Sequence, residues 1–196
     1  MSRLQELVFL ACSLSRPQGK VRAVVADSVL QRLRHWLATD KTLARSTTWH
    51  PTKSKSGQLE LVCELDMNGI TQDGLRLRMQ AHTRFTDQRV MAQLEYHDVA
   101  GRGGAFERLE WRPKSPHTNR GHVPEHLRFK QCHRSQHHRF EDNVHLGFPY
   151  FAHDNLPAAD DLEPEPDDLA HFMRLVASHL RIRDIEVIPR PPWPML

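Results

Sequence analysis

The sequence predicts an α+β fold: an antiparallel four- or five-stranded sheet packed on one face by N-terminal and C-terminal helices. Apolar residues recur at helical intervals toward both ends of the chain, at Val29, Leu30, Leu33, Trp36 and Leu37, and again at Leu169, Phe172, Met173, Val176 and Leu180. Between these stripes the hydrophobic period falls from about 3.6 residues to about 2, the signature of strands with one wet face. Short turn signals, Asn68-Gly69 and Asp73-Gly74, separate the alternating runs, and connections this short join antiparallel neighbours.

A chain of 196 residues with 39% hydrophobic and 26% charged residues has enough apolar material for one sizeable core, so residues 1–196 are read as a single α+β domain. Residues 1–57 form its helical N-terminal part. Ser2 and Gln5 have capping-box spacing ahead of Leu4, Leu7, Val8 and Ala11, which predicts a short first helix. Ser28 and Gln31 repeat that spacing and predict the start of a second helix, with residues 16–19 (Arg, Pro, Gln, Gly) as the break and the Ser/Thr/Lys-rich stretch 39–57 as an exposed connection.

Residues 58–140 are read as the sheet with a basic, histidine-rich segment. Leu59, Leu61, Cys63, Leu65 and Met67 face one way while Glu60, Glu64 and Asp66 face the other. Leu75, Leu77, Met79, Ala81 and Phe85 alternate with Arg76, Arg78, His82 and Arg84; Val90, Ala92, Leu94 and Tyr96 give a third strand and residues 106–111 a fourth. Cross-strand charge pairing explains the arginines of the second strand better than a nucleic-acid platform, because its neighbour supplies carboxylates on the same face. Leu127 and Phe129, alternating with Arg128 and Lys130, predict a fifth strand. Residues 141–168 are read as an acidic loop. Residues 169–188 hold the final helix, led by Pro164, Pro166, Asp167 and Asp168, and an edge strand at Ile185, Val187 and Ile188. Residues 189–196 are a proline-rich tail, for which packing back on the domain is the default and docking of Trp193 on a partner the alternative.

Composition excludes several classes. The longest early apolar run is the six residues 7–12, far below the roughly 20 needed to span a bilayer, so neither a signal peptide nor a membrane span is expected. Cys12, Cys63 and Cys132 are distant and odd in number, which fits a reducing, cytoplasmic setting. The glycine-rich, nucleophile-elbow and dinucleotide patterns are absent from the sequence. Net charge is only +3, but residues 102–139 hold nine Lys or Arg against three acids, and residues 140–168 hold nine acids and no Lys or Arg. Such an acidic block folds back over the basic one, repels competing anions, or lies as a solvated loop, and the last is the default.

Eight of the fourteen histidines fall within residues 117–153: His117, His122, His126, His133, His137, His138, His145 and His153. Imidazole binds metals, moves protons and meets phosphates near neutral pH, so three functions compete. For a divalent metal, His122 and His126 are four apart, as are His133 and His137, with Glu141, Asp142 and Asp154 as oxygen donors; Val123 and Arg134 stand where a metalloprotease glutamate would be, so no metal ligand set is assigned. For metal-independent RNA cleavage, with no cofactor, one imidazole takes the 2′-hydroxyl proton, another protonates the leaving oxygen, and cations stabilise the phosphate. His133 and His137 are the proton-transfer candidates; His117, His138, Arg120, Arg128, Lys130, Arg134 and Arg139 are the phosphate-binding ones. A regular fifth strand would put His133 and His137 on the face of Leu127 and Phe129, and a bend near Ser135 would be needed to gather the set. The third function is non-catalytic binding of RNA, single-stranded nucleic acid or a protein partner. Cys132 beside His133 does not form a nucleophile and base, because adjacent strand residues point to opposite faces.

The order of motifs carries a resemblance. Arg108-Leu109-Glu110-Trp111 closes a hairpin; His117-Thr118-Asn119 follows, then Phe129, a histidine cluster ending in Arg139-Phe140, and an acidic lead into the last helix. Over about residues 58–181 this resembles small histidine-rich bacterial proteins with a domain of unknown function, similar to toxins of toxin–antitoxin pairs. The chain departs in an extra histidine-and-arginine cluster and a longer acidic segment. The resemblance implies a bacterial cytoplasmic protein, a growth-inhibiting ribonuclease neutralised by an antitoxin-like partner, with no membrane association.

Overall fold

A computed structural model of the protein describes residues 18–53, 55–147 and 155–193; the helix expected around Leu4 and Leu7, together with Cys12, His153 and Asp154, lies outside them. Helix α1 spans Gln18–Ala38. It begins well before Ser28, so the capping-box spacing there does not mark a helix start, and Gln18 and Gly19 are helical rather than part of a break. Residues 20–27 contain no proline or further glycine, and one glycine costs a helix only about 1 kcal/mol. Val29, Leu33 and Trp36 form the buried stripe, as their spacing predicts.

The stretch after α1 is more structured than an exposed connection. Lys41 is 1% exposed, its ammonium donating to the carbonyls of Trp36 and Thr39 at the helix C-terminus, and burial pushes its pKa down to about 8. Strands β1 (Thr42–Leu43) and β2 (His50–Pro51) both pair with β3 (Gln58–Met67). The meander continues through β4 (Ile70–His82), β5 (Val90–His97) and β6 (Gly103–Trp111), all antiparallel. Asn68 and Gly69, both at positive φ, make the β3–β4 turn. Asp73-Gly74 lies inside β4 instead, where a Cβ on Gly74 would sit 2.0 Å from the His97 carbonyl oxygen.

Four further short strands complete the pattern. β7 (His117–Thr118) pairs with β8 (Gln131–Cys132) as a separate two-stranded sheet; β9 (Gln136–His138) joins β6, and β10 (Asp160–Asp161) joins β9. Among the described residues the large sheet thus has eight strands, ordered β1-β3-β4-β5-β6-β9-β10 with β2 also on β3. Helix α2 (Phe140–Asn143) follows β9, and α3 (Leu169–Leu180) follows β10.

The strand expected over Leu127 and Phe129 is not there. Residues Glu125–Leu127 form a 3-10 turn after Pro124, and Phe129 adopts φ 64°, so the short alternation is broken on both sides. The fifth strand of the meander side is β9 instead. Ile185–Val187 is likewise a 3-10 turn rather than an edge strand; the Asp184 carboxylate just before it accepts from the Leu43 amide at 3.0 Å. The described part of the proline-rich tail, residues 189–193, packs back: Trp193 Nε1 donates to His82 O at 3.0 Å.

The sheet has two unlike faces. Leu61, Leu77, Leu94, Leu109 and Trp111 are 0% exposed; Trp36 meets Tyr96 and Phe106 at ring separations of 5.8 and 6.4 Å, and Phe172 of α3 stacks on Trp111 at 5.9 Å. The opposite face is polar and internally paired. Arg78 reaches Glu60 at 2.5 Å and Glu95 at 2.6 Å, the cross-strand pairing that charge alternation predicts.

Asp168 is the N-cap of α3, its carboxylate accepting from the His171 amide at 2.7 Å. Asp168→Ala is therefore expected to cost about 1 kcal/mol in urea unfolding, and an unchanged midpoint would show the cap to be idle.

Candidate functional site

Strand alternation separates the adjacent histidines of the basic block. In the β6–β9 ladder Arg108 faces His138, Leu109 faces His137 and Glu110 faces Gln136. Leu109 points to the helices, so His137 does too, while Arg108, Glu110, Gln136 and His138 share the polar face. The small β7–β8 sheet brings His117 to the same place, its ring edge-on to His138 with centroids 5.1 Å apart.

The acidic segment supplies the other wall. The Leu156 carbonyl accepts from His138 Nδ1 and the Pro157 carbonyl from His117 Nε2, each at 2.8 Å. Two buried asparagines fix the neighbouring backbone: Asn143 exchanges both amide bonds with Ala158, and Asn119 does so with Ala159, at 2.8 to 3.0 Å. The result is a cavity of about 380 Å³ lined by Arg108, Glu110, His117, Arg120, Gln136 and His138, together with residues 115, 116, 118 and 155–157.

Because a carbonyl only accepts, the partners assign the tautomers. His117 donates from Nε2, which leaves its Nδ1 clear of that bond; His138 carries its proton on Nδ1 and has its lone pair on Nε2. That Nε2 is buried and has no hydrogen-bond partner among the described residues; Glu110 Oε1 lies 3.7 Å away. Burial, then repulsion from Arg108 and His117, pushes His138 down to about 3, so it is neutral through the working pH range. Burial pushes the Glu110 carboxyl up, opposed by the positive charge of Arg108, whose Nη1 is 3.7 Å away, and of His117. A carboxyl whose pKa is raised by burial, a lone-pair imidazole and a guanidinium therefore line one cavity.

The predicted residues are divided by the fold. His117, His138 and Arg120 converge on the cavity. His133 is exposed, away from His137, which is 3% exposed on the helix side. There His137 Nε2 meets Glu107 Oε1 at 2.5 Å, Arg139 Nε donates to His137 Nδ1 at 3.4 Å, and the His179 ring lies 4.6 Å away, burial pushing His179 down to about 4. The acidic segment is no solvated loop. It folds back over the basic block: Lys130 is held by Asp160 and Asp161, Arg134 by Glu163 at 2.5 Å, and Ser135 by Glu165 through its amide and hydroxyl. Arg120 and Arg128 are exposed. Cys132 is buried, its thiol pushed up to about 11 by burial and by Asp161, which suits a packing residue rather than a nucleophile.

In the sequence Arg108 and Glu110 stand only within the motif that closes a hairpin, without a role at the site. Their signal was present in the alternation, which puts both on the wet face, but the partner strand that completes the site lies 28 residues on (Glu110 to His138). Among the described residues no group of three His, Cys, Asp or Glu is arranged to hold a metal ion; His126 meets Asp142 at 3.6 Å, and His122 offers its carbonyl to His145 at 2.6 Å. None of the described helices is long and apolar enough to cross a membrane. The chain matches no family model, no curated protein and no solved structure.

Proposed function

We propose that the protein is a metal-independent endoribonuclease of the toxin-like kind that the motif order resembles, acting in the bacterial cytoplasm and held in check by an antitoxin-like partner. The observation that carries the chemistry is the convergence of Arg108, Glu110, His117, Arg120 and His138 on one cavity. In this reading His117 Nδ1 takes the proton of a 2′-hydroxyl, whose oxygen attacks the adjacent phosphorus. Glu110 gives its proton to the departing 5′-oxygen as the P–O bond breaks. Arg108 and Arg120 stabilise the charge on the five-coordinate phosphorus. The products are a 2′,3′-cyclic phosphate and a 5′-hydroxyl end, and no oxidant, reductant or metal enters the balance. The assignment moves proton transfer from His133 and His137 to Glu110 and His117, because only the latter share a cavity that also holds guanidinium groups.

Purified protein incubated with RNA in excess chelator is expected to release fragments with cyclic-phosphate and 5′-hydroxyl ends. Chelator-sensitive cleavage would transfer the chemistry to a divalent metal, and intact RNA, with the fold verified and any partner removed, would leave a non-catalytic binding module.

A further inference from the structure

The β7–β8 hairpin carries an arrangement that cleavage chemistry does not use. Phe129 is 76% exposed, the largest hydrophobic side chain so presented among the described residues, and its backbone is at φ 64°. A bulky residue occupies that left-handed region only when its surroundings hold it there, and such positions cluster at binding sites. The surroundings do hold it. The Phe129 amide donates to Asn119 O at 3.2 Å and the Asn119 amide to Lys130 O at 3.0 Å, while the Asn119 side chain is tied to Ala159. Thr118 and Arg120, either side of Asn119, line the cavity.

The cations select the same place. Of the nine Lys and Arg in residues 102–139, the folded-back acidic segment takes Lys130 and Arg134, and Arg102, Arg108, Arg112 and Arg139 bond to neighbours. The side chains of Lys114, Arg120 and Arg128 have no hydrogen bond or ion pair among the described residues, and all three residues are exposed. Arg120 lines the cavity, Lys114 directly precedes the lining residues 115–118, and Arg128 directly precedes Phe129. An exposed aromatic ring among unpaired cations fits a single-stranded nucleic acid, whose bases are free to stack and whose phosphates remain charged. An acidic protein surface could also pack on the ring, but an unpaired strand matches both features at once, a stacking base for the ring and a regular run of phosphates for the cations.

We infer that the β7–β8 hairpin is a single-stranded RNA-binding element in which Phe129 stacks on an unpaired base and Arg120 and Arg128 meet the flanking phosphates. The inference rests on the ribonuclease reading for its placement beside the cavity, and it supplies the substrate class: unpaired rather than duplex RNA.

The test is binding of a short single-stranded 2′-O-methyl oligonucleotide, which lacks the attacking hydroxyl and so is not cleaved, followed by fluorescence anisotropy with the full chain. Phe129→Ala is expected to weaken binding by about 5- to 150-fold with the salt dependence unchanged. Phe129→Trp is expected to restore it and to add an emission change on binding that wild type lacks. Arg120→Ala and Arg128→Ala are expected each to lower the salt slope by about 0.7. Phe129→Gly separates binding from packing: glycine accepts the positive φ, so thermal stability rises while affinity falls. Unchanged affinity in Phe129→Ala, or no binding by wild type, would overturn the inference. Saturation by an acidic peptide without any response to the oligonucleotide would assign the hairpin to a protein partner and overturn it as well. RNA cleavage that proceeds equally in wild type and Phe129→Ala would keep the ribonuclease reading and discard this one; Phe129-dependent binding without cleavage would do the reverse.

Discussion

Glu110→Gln is expected to lower the rate of RNA cleavage by about a hundred- to ten-thousand-fold, the usual contribution of one proton-transfer group. Glutamine copies the shape of the protonated carboxyl and has no transferable proton of comparable acidity, so the substitution isolates the chemistry. The fold should tolerate it. Glu110 sits mid-strand, its backbone paired with Met91 and Gln136, and an amide keeps polar contact with Arg108 and His138. The pH profile gives a second reading. A general acid is lost as pH rises through its pKa, and burial raises that pKa, so activity should extend above the ordinary carboxylate range before it falls. In Glu110→Gln that alkaline limb should vanish. Single-turnover rates across pH, with thermal midpoints for both proteins, check this; a variant as fast as wild type would remove Glu110 from the mechanism.

Lowering the pH from 7 to 4 is expected to cost about 3 kcal/mol of stability through His138 alone. In the folded chain this ring stays neutral down to about pH 3, against 6.5 for an ordinary histidine. Between those values the unfolded chain binds the proton and the folded chain does not. Stability is therefore complete above about pH 6.5 and is lost progressively as pH falls toward 3. His179, pushed down to about 4, acts in the same direction, with a smaller share because its side chain is less deeply buried. Urea unfolding of wild type and His138→Asn at both pH values separates the contribution, since carboxylates titrating in this range are common to the two. Equal pH dependence in the two proteins would show that His138 does not resist protonation.

The sequence made the meander legible because each of its long strands repeats the alternation many times. The ten residues of β3 bury every second side chain, and Leu75, Leu77, Met79 and Ala81 do the same in β4. Leu127 to Lys130 offered only two periods, and tertiary contacts decided otherwise: Leu127 is buried in a small cluster with Val123 and Ala158, while Phe129 is turned outward. Pro124 was the available local signal for a turn start. Ile185 and Val187 failed as a strand for a similar reason, since two apolar residues separated by one do not distinguish a strand from a 3-10 turn. At the candidate site, histidine density pointed to the right region. It could not divide His137 from His138, because that division depends on the register of β9 against β6. Nor could local sequence show that Leu156 and Pro157 would fix two imidazole tautomers from across the cavity.

The ends of the large sheet bear on how the protein behaves at high concentration. One outer strand, β10, is two residues long and both are aspartates; at the other end β1 is also two residues long, and β2, which shares β3 with it, includes Pro51, which lacks an amide proton. An outer strand recruits another chain by offering a run of unpaired amides and carbonyls, and brevity, negative charge and proline each shorten that run. The four long strands, which alone have the length and β-branched or apolar content to template a fibril, are thereby kept in the interior. Self-association by strand addition is blocked at the sheet's borders, so its extended polar face can remain open to solvent without turning the protein into a seed for aggregation.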